Sequence, residues 1–171
     1  MDIVDAGGSF GKDYGEGKGV DNFTFGTTSP VYDMLARMKC EMPHTIRVPF
    51  QKDSLRMTDT DREVIARLCV REPSMSDRVV IIHGTDTMLE TAKAISGMWL
   101  AHGLTITRTI VLTGAGRPAS MRITDADLQF GYAFGVAKLL PPGIYIAMNG
   151  EHHLWSECQK CDDGVFRKIA A

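Results

Sequence analysis

The chain has 171 residues, of which 44% are hydrophobic, and these values are typical of one globular domain with a full core. Its 19 basic and 21 acidic residues leave a formal charge of −2, and the basic residues are scattered along the sequence. This distribution argues against nucleic acid or a membrane surface as the partner. We therefore expect a single domain, residues 1–171, that binds a small molecule.

The first residues, Met1 to Asp5, contain neither a positively charged segment nor a long apolar run. They predict neither a signal peptide nor a spanning helix, so we expect a cytoplasmic protein. In that reducing compartment the four cysteines, at positions 40, 69, 158 and 161, are expected to be thiols that mostly pack in the core.

Short β-branched runs alternate along the chain with longer stretches of helical period, which is typical of a parallel sheet with crossover helices. The predicted strands are Ile3 to Val4, His44 to Pro49, Arg78 to His83, Thr109 to Thr113 and Gly143 to Met148. Their nearly continuous apolar runs suit strands that are covered on both faces. The pattern predicts an α/β fold with a three-layer open sheet, mostly parallel and Rossmann-like or flavodoxin-like.

Two capping-box patterns predict helix starts, because a hydroxyl and a Glu three residues later can satisfy each other's backbone amides. They are Thr60 to Glu63 and Thr87 to Glu90. A third helix is predicted from about Thr124 to Leu139, since two prolines follow it. Gly7 to Gly26 is glycine-rich and without periodicity, which predicts a mobile surface loop that serves as a lid or binding element.

Polar and small residues follow four of the predicted strands. They are Gly7 to Ser9, Asp53 to Ser54, Gly84 to Thr87 and Gly114 to Pro118. In open α/β sheets ligands bind beyond the carboxyl ends of the strands, so these residues are expected to converge on one ligand-binding edge.

One of these segments, His83 to Ala92, reads His-Gly-Thr-Asp-Thr-Met-Leu-Glu-Thr-Ala and resembles the asparaginase family. That family carries a near-identical His-Gly-Thr-Asp-Thr followed by Met and Glu-Thr-Ala. Val111 to Pro118 is similar to the family's Leu-Thr-Gly-Ala-Met-Arg-Pro, and Ile146 to Asn149 to its Val-Met-Asn strand. The resemblance spans almost the whole chain, but it covers only the N-terminal domain of the family.

The resemblance implies an amidohydrolase of small, asparagine-like amides that needs no cofactor and no metal. Ser9, in Ala-Gly-Gly-Ser-Phe, takes the place of the nucleophilic threonine in the family's Thr-Gly-Gly-Thr-Ile turn. A hydroxyl nucleophile needs a base and donors for the oxyanion. The further residues that match catalytic positions of the family are Thr85, Asp86, Lys160 and the lid tyrosine, Tyr14.

The resemblance also implies a substrate site. Ser54 and Asp86 match positions that hold an amino acid's carboxylate and ammonium, while the glycines Gly8 and Gly84 would let the amide approach backbone N–H groups. Leu55 replaces a polar Gln of many members, so we expect the substrate class to be asparagine-like or other small primary amides. Because the family's C-terminal domain has no counterpart here, we expect a homo-oligomer that covers the crevice.

Other interpretations of these residues stay open. Thr85 and Asp86 suit simple helix capping, Ser9 an ordinary turn, and Lys160 a solvated surface, which together describe a non-catalytic ligand-binding or oligomerisation module. His83 is expected to be a core histidine without a catalytic role. The single Cys158 to Cys161 pair is weak evidence for zinc, which takes four ligands.

Overall fold

The structure is a computed structural model that describes residues 1–15 and 23–169. In these residues the chain forms, in order, β1 (Asp2–Asp5), β2 (Lys12–Asp13), β3 (Thr24–Phe25), α1 (Val31–Arg37), β4 (Thr45–Arg47), α2 (Asp59–Arg71), β5 (Arg78–Ile82), α3 (Met88–Ala101), β6 (Thr109–Thr113), α4 (Ala126–Leu139), β7 (Gly143–Met148), β8 (Glu151–Leu154), β9 (Cys158–Lys160) and β10 (Phe166–Lys168). The described residues also form short 3-10 turns at Ser9–Gly11, Ser54–Arg56 and Trp155–Glu157.

The central sheet has the strand order β4-β1-β5-β6-β7-β8. Its first five strands are parallel, and β8 pairs with β7 in the antiparallel sense. Because β1 lies between β4 and β5, the chain reverses its direction of winding there, which is the flavodoxin-like order. The prediction of a mostly parallel, open α/β sheet is confirmed.

Helices cover both faces of the sheet, so the domain has three layers. Side chains alternate along a strand, so β5 contributes to two separate cores. Val79 and Ile81 pack with α2 and α3, whereas Val80 and Ile82 pack with α1 and α4. Burial on both sides explains why the strand sequence is apolar without alternation.

The five predicted strands lie close to their predicted positions, with one clear exception, while β2, β3 and β8 to β10 were not predicted. β4 is only three residues long, although a strand was predicted from His44 to Pro49. It forms the edge of the sheet, Val48 beyond it is exposed, and Pro49 has no N–H to donate.

Two helix starts differ from the predictions. α2 begins after Thr58, whose hydroxyl accepts the Asp61 N–H while the Asp61 carboxylate accepts the Thr58 N–H. The box predicted from Thr60 is therefore wrong by two residues, because an Asp serves in it as well as a Glu. Thr87 does precede α3, but its hydroxyl donates to the Ser54 carbonyl (2.9 Å) instead of forming a capping box.

Part of the predicted surface loop, Gly7 to Gly26, has regular structure. The turn at Ser9–Gly11 is followed by β2, which pairs with β3 as an antiparallel hairpin. Residues 16–22, which the loop prediction also includes, lie outside the described residues. Across the described ranges, no helix is long and apolar enough to cross a bilayer.

Candidate active site

The site begins where β1 and β5 end side by side, at the point where the sheet changes its direction of winding. Gly8, with a φ of 78°, packs directly on the backbone of Gly84, and a Cβ atom on Gly8 would clash with it. The two strand ends are thus in backbone contact. This contact places the turn of Ser9 next to Thr85.

Ser54 lies on the other side of Gly84. A Cβ atom on Gly84 would clash with the Ser54 side chain, which is almost completely buried. Glycine is required at both positions because three chain segments meet here with no room for side chains. The segments that carry Ser9, Ser54 and Thr85 therefore form one contiguous group.

Lys160 reaches this group from the far end of the chain. Its Nζ donates to Thr85 Oγ1 (2.9 Å) and to Asp86 Oδ1 (2.5 Å). The side chain of Lys160 keeps 25% of its exposure, and that of Asp86 keeps 48%. The predicted meeting of a lysine, a hydroxyl and a carboxylate is present in the structure.

The path of the chain explains how Lys160 arrives there. Asn149 and Gly150 both have positive φ, 58° and 80°, and reverse the chain between β7 and β8. Cys158 and Phe166 are buried in the core under α3 and hold the β9–β10 hairpin against it. Lys160 lies two residues after Cys158, on the same face of β9, and so points towards Thr85.

Ser9 begins a single 3-10 turn, and its backbone carbonyl accepts the Lys12 N–H. The next residue, Phe10, is buried against Phe130 at a centroid distance of 6.3 Å and anchors the turn in the core. Among the described residues the Ser9 hydroxyl has no hydrogen-bond partner. Ser9 is therefore held by its backbone, and no described residue bonds its hydroxyl.

Tyr14 is not hydrogen-bonded to Ser9 in the described part of the chain. Its ring packs instead on Phe23, at a centroid distance of 6.1 Å and in an edge-to-face arrangement. The structure brings Ser9, Ser54, Thr85, Asp86 and Lys160 to one edge of the sheet, and it leaves Tyr14 on the β2–β3 hairpin.

The backbone donors differ from the expectation for Gly8. The Gly8 N–H donates to the Lys52 carbonyl (2.8 Å) and is not free for a substrate. Within the described ranges the N–H groups of Ser9 and Thr85 have no acceptor, which makes them the available donors for an oxyanion.

Asp5 is a buried carboxyl group that the sequence motifs did not indicate. It accepts the Gly7 N–H (2.9 Å) and the Gln51 side-chain amide (3.2 Å). Burial raises the pKa of Asp5, and hydrogen bonds from Ser29, Gly7 and Gln51 oppose that rise. Asp-Ala-Gly is the pattern of an Asx turn, and this signal could have drawn attention to Asp5.

Lys12 and Asp53 form a second feature without a predicted role. Their Nζ and Oδ2 atoms are 2.5 Å apart, with side-chain exposures of only 11% and 15%. Burial raises the pKa of Asp53, but the Lys12 ammonium and the Leu55 N–H outweigh that effect and hold the pKa below its ordinary value. The sequence offered no signal for this contact, because 41 positions separate the partners.

The loop after β6 closes one side of the site. Asp125 accepts the N–H groups of Gly116 and Arg117, each at 2.9 Å, and so fixes the loop in place. Between this loop and the β9–β10 hairpin is a cleft of about 270 Å³, whose polar lining consists of Thr85, Asp125, Asn149, Lys160 and Asp163.

His83 is buried under the site, as predicted for a core histidine. Its Nδ1 lies 2.7 Å from the Gly84 carbonyl oxygen, and its Nε2 lies 2.8 Å from the Thr91 hydroxyl. Desolvation lowers the pKa of His83 to about 4, partly opposed by the Gly84 carbonyl. His83 is therefore neutral near pH 7 and joins the Gly84 turn to α3.

The cysteines are free thiols, and Cys69 and Cys158 are buried. Burial raises the pKa of Cys158 to about 11, so this thiol stays protonated. Within residues 1–15 and 23–169, no three His, Cys, Asp or Glu side chains gather closely enough to hold a metal ion.

A flavodoxin-like sheet with hydroxyls, an amine and a carboxylate at its switch point defines an α/β domain with a polar site at the carboxyl ends of its strands. The family model of the asparaginase N-terminal domain matches residues 3–169. Since this match includes nearly every residue, the chain belongs to the asparaginase family, as its motifs predicted.

Two solved structures share the fold. The thermostable L-asparaginase from Thermococcus kodakarensis has a TM-score of 0.77 and 24% identity. L-asparaginase I from Vibrio cholerae has a TM-score of 0.80 and 23% identity. In both comparisons 98% of this chain aligns with 50% of the solved chain, so this chain spans about half of their length.

Curated relatives match a shorter segment. A glutamyl-tRNA(Gln) amidotransferase subunit of Methanococcus maripaludis is 38% identical over 76 residues, which are 44% of this chain and 17% of the relative. The probable periplasmic L-asparaginase of Haemophilus influenzae is 39% identical over 79 residues, which are 44% of this chain and 21% of the relative. The matched segments span about a fifth of these proteins.

Proposed function

We propose that this chain hydrolyses a small, asparagine-like carboxamide and releases ammonia, with Ser9 as the nucleophile. The observation that carries the proposal is the contact of Lys160 with both Thr85 and Asp86. A lysine held on a hydroxyl beside the Ser9 turn is the arrangement that nucleophilic catalysis requires. Membership in the asparaginase family supports the same reaction.

In the proposed reaction the Ser9 oxygen bonds to the amide carbon as its hydroxyl proton leaves. The N–H groups of Ser9 and Thr85 stabilise the negative charge that develops on the carbonyl oxygen. The amide nitrogen takes up a proton and leaves as ammonia, which leaves an ester on Ser9. Water then adds to that ester, and the acid product departs as the Ser9 hydroxyl is restored.

Lys160 and Thr85 supply the base in this scheme. A neutral Lys160 amine accepts the proton of the Thr85 hydroxyl, and Thr85 in turn takes a proton from Ser9 or from the attacking water. Asp86 orients Lys160 and receives the ammonium group of the substrate. Ser54, beside Gly84, receives the carboxylate of the substrate.

The proposal is tested by measuring ammonia release from L-asparagine, D-asparagine, L-glutamine and succinamate with the purified chain. Mass spectrometry of quenched reactions should show an acyl group on the peptide that contains Ser9. An acyl group on a peptide without Ser9 would contradict the assignment, and no ammonia from any amide would contradict the activity.

The alternative is a non-catalytic ligand-binding or oligomerisation module. The observation that favours it is that the Asp86 side chain keeps 48% of its exposure, as in a solvated ion pair at a helix start. This alternative predicts that an amino acid raises the melting temperature while no amide is hydrolysed. The cytoplasmic location stays a prediction, and the Haemophilus influenzae relative carries a periplasmic name.

A further inference from the structure

We propose that Lys12 and Asp53 are a positioning pair that fixes the Ser9 turn against the Ser54 turn. The catalytic part of this inference rests on the proposed function, since Ser9 attacks the amide and Ser54 holds the far end of the same substrate. The structural part, that the ion pair couples the two turns, is independent of any activity.

Lys12 is bonded to the Ser9 turn through its backbone. Its N–H donates to the Ser9 carbonyl and closes the single 3-10 turn that Ser9 begins. Its side chain leaves this turn and places Nζ 2.5 Å from Asp53 Oδ2. Any movement of the Ser9 turn therefore moves the ammonium group.

Asp53 is bonded to the Ser54 turn in the corresponding way. Its Oδ1 accepts the Leu55 N–H (2.9 Å), and its backbone carbonyl accepts the Arg56 N–H (2.9 Å). One carboxylate oxygen thus caps the Ser54 turn, while the other receives Lys12. The pair connects two turns that each carry a serine of the site.

Backbone hydrogen bonds join the same two segments at a second place. The Gly8 N–H donates to the Lys52 carbonyl (2.8 Å), and the Lys52 N–H donates to the Ala6 carbonyl (3.2 Å). Ser9 therefore lies between this backbone link and the ion pair, whereas both connections of the other segment directly precede Ser54. Two connections between the same segments restrict the rotation of one turn relative to the other.

The surroundings shield this ion pair from solvent, in contrast to the exposed pairs of the protein. The Lys12 ammonium lies 4.0 Å above the Phe23 ring, which covers it and adds a cation–π contact. By contrast, the partners of the Arg67–Glu63 pair on α2 keep 61% and 51% of their exposure. Loss of one partner at the covered site leaves the other charge without compensation.

The experiment uses Lys12→Met, Asp53→Asn and the double variant in the full chain, with Arg67→Met as the matched control. Asp53→Asn retains the oxygen that accepts the Leu55 N–H, so it removes the ion pair without removing the cap. Hydrogen exchange of the Lys12 and Leu55 amides measures the coupling. The kcat and KM for the best amide measure its effect on the reaction.

We expect either single variant to speed exchange at both amides, including the one in the unaltered turn, and to lower kcat/KM roughly tenfold to a hundredfold. The double variant should lose no more than the single variants, and Arg67→Met should resemble wild type. Exchange that changes only in the mutated turn, or not at all, would overturn the coupling. An unchanged kcat/KM in the single variants would overturn the positioning of catalytic groups.

If the wild type releases no ammonia, the proposed function fails and the catalytic part of this inference fails with it. The exchange measurements still decide whether the ion pair couples the two turns. Failure of the activity and failure of the coupling are therefore distinguishable in one set of proteins.

Discussion

Ser9 combines a fixed backbone with a hydroxyl that no residue in the described ranges bonds. Phe10 anchors its turn in the core, and the packing of Gly8 on Gly84 sets its place beside Thr85. A nucleophile must meet the substrate carbon in a narrow range of geometries, which a rigid turn provides.

Ser9→Ala should abolish ammonia release without unfolding the protein, because the variant loses only a side-chain oxygen that has no partner among the described residues. Ser120→Ala, at an exposed position, is the control and should retain full turnover. Steady-state ammonia assays and thermal melts measure the two effects. Ammonia release by Ser9→Ala at the wild-type rate would remove Ser9 from the mechanism.

Lys160→Met should lower the rate by roughly a hundredfold or more, since a positioned proton acceptor contributes on that scale. The matched control is Lys168→Met in the adjacent strand, where the side chain is 71% exposed and lies 3.5 Å from Glu157. Ammonia release by Lys160→Met at the wild-type rate would contradict this role.

Local motifs predicted some site residues, and packing determined others. Thr85 and Asp86 follow a buried strand in a recognisable motif, so the sequence alone indicated their place. The sequence did not predict a role for Asp5 or for the Lys12–Asp53 pair, because each depends on which distant loops meet around it. For the same reason the sequence did not predict that the Gly8 N–H donates to the Lys52 carbonyl.

At the level of elements, strands were easier to predict than helix starts. The apolar runs of β5, β6 and β7 identify strands that are buried on both faces, and this burial leaves few alternatives. Helix starts depend on which of several hydroxyls closes the first turn, and Thr58, Thr60 and Asp61 offer more than one solution. The strand predicted at β4 was too long, because β4 stops pairing at the edge of the sheet before the apolar sequence ends.

Substitutions at the N-terminus of α2 test which hydroxyl caps the helix. Thr58→Ala removes the oxygen that accepts the Asp61 N–H and should lower the free energy of unfolding by about 1 kcal/mol. Thr60→Ala changes the residue that the sequence pattern favoured, and it should leave stability within about 0.5 kcal/mol. Urea unfolding at pH 7 compares the two, and a larger loss for Thr60→Ala would contradict the observed cap.

At the scale of the molecule, His83 makes stability depend on pH. Its pKa is about 4 in the folded protein, against an ordinary value of 6.5, because burial disfavours the charged ring. The unfolded chain therefore binds a proton at a higher pH than the folded chain does. The stabilisation is complete above about pH 6.5 and is lost as the pH falls towards 4.

Between pH 7 and pH 5 this group alone should remove about 2 kcal/mol from the free energy of unfolding. His83→Gln should flatten that part of the pH dependence, although it lowers stability at pH 7. His153→Gln, outside the core, is the control. A pH dependence in His83→Gln as steep as in wild type would assign the loss to other groups.

The assembly of the molecule is a separate prediction. The site lies beyond the carboxyl ends of the strands and is open to solvent. Water in an open site weakens electrostatic stabilisation of the reaction. We expect copies of this chain to associate into a homo-oligomer that covers the crevice. Light scattering should report a mass above 18.8 kDa, and a strict monomer with full activity would contradict this expectation.

The order of the site residues along the chain is also the order in which they are synthesised. Lys160 follows its partner Thr85 by 75 positions, beyond the reversal at Asn149 and Gly150. At about 5–20 residues per second, roughly 4 to 15 s pass between the synthesis of the hydroxyl and that of the amine. On the proposed mechanism, the nascent chain therefore contains Ser9, Ser54 and Thr85 for several seconds before it contains the amine that hydrolysis of an amide requires.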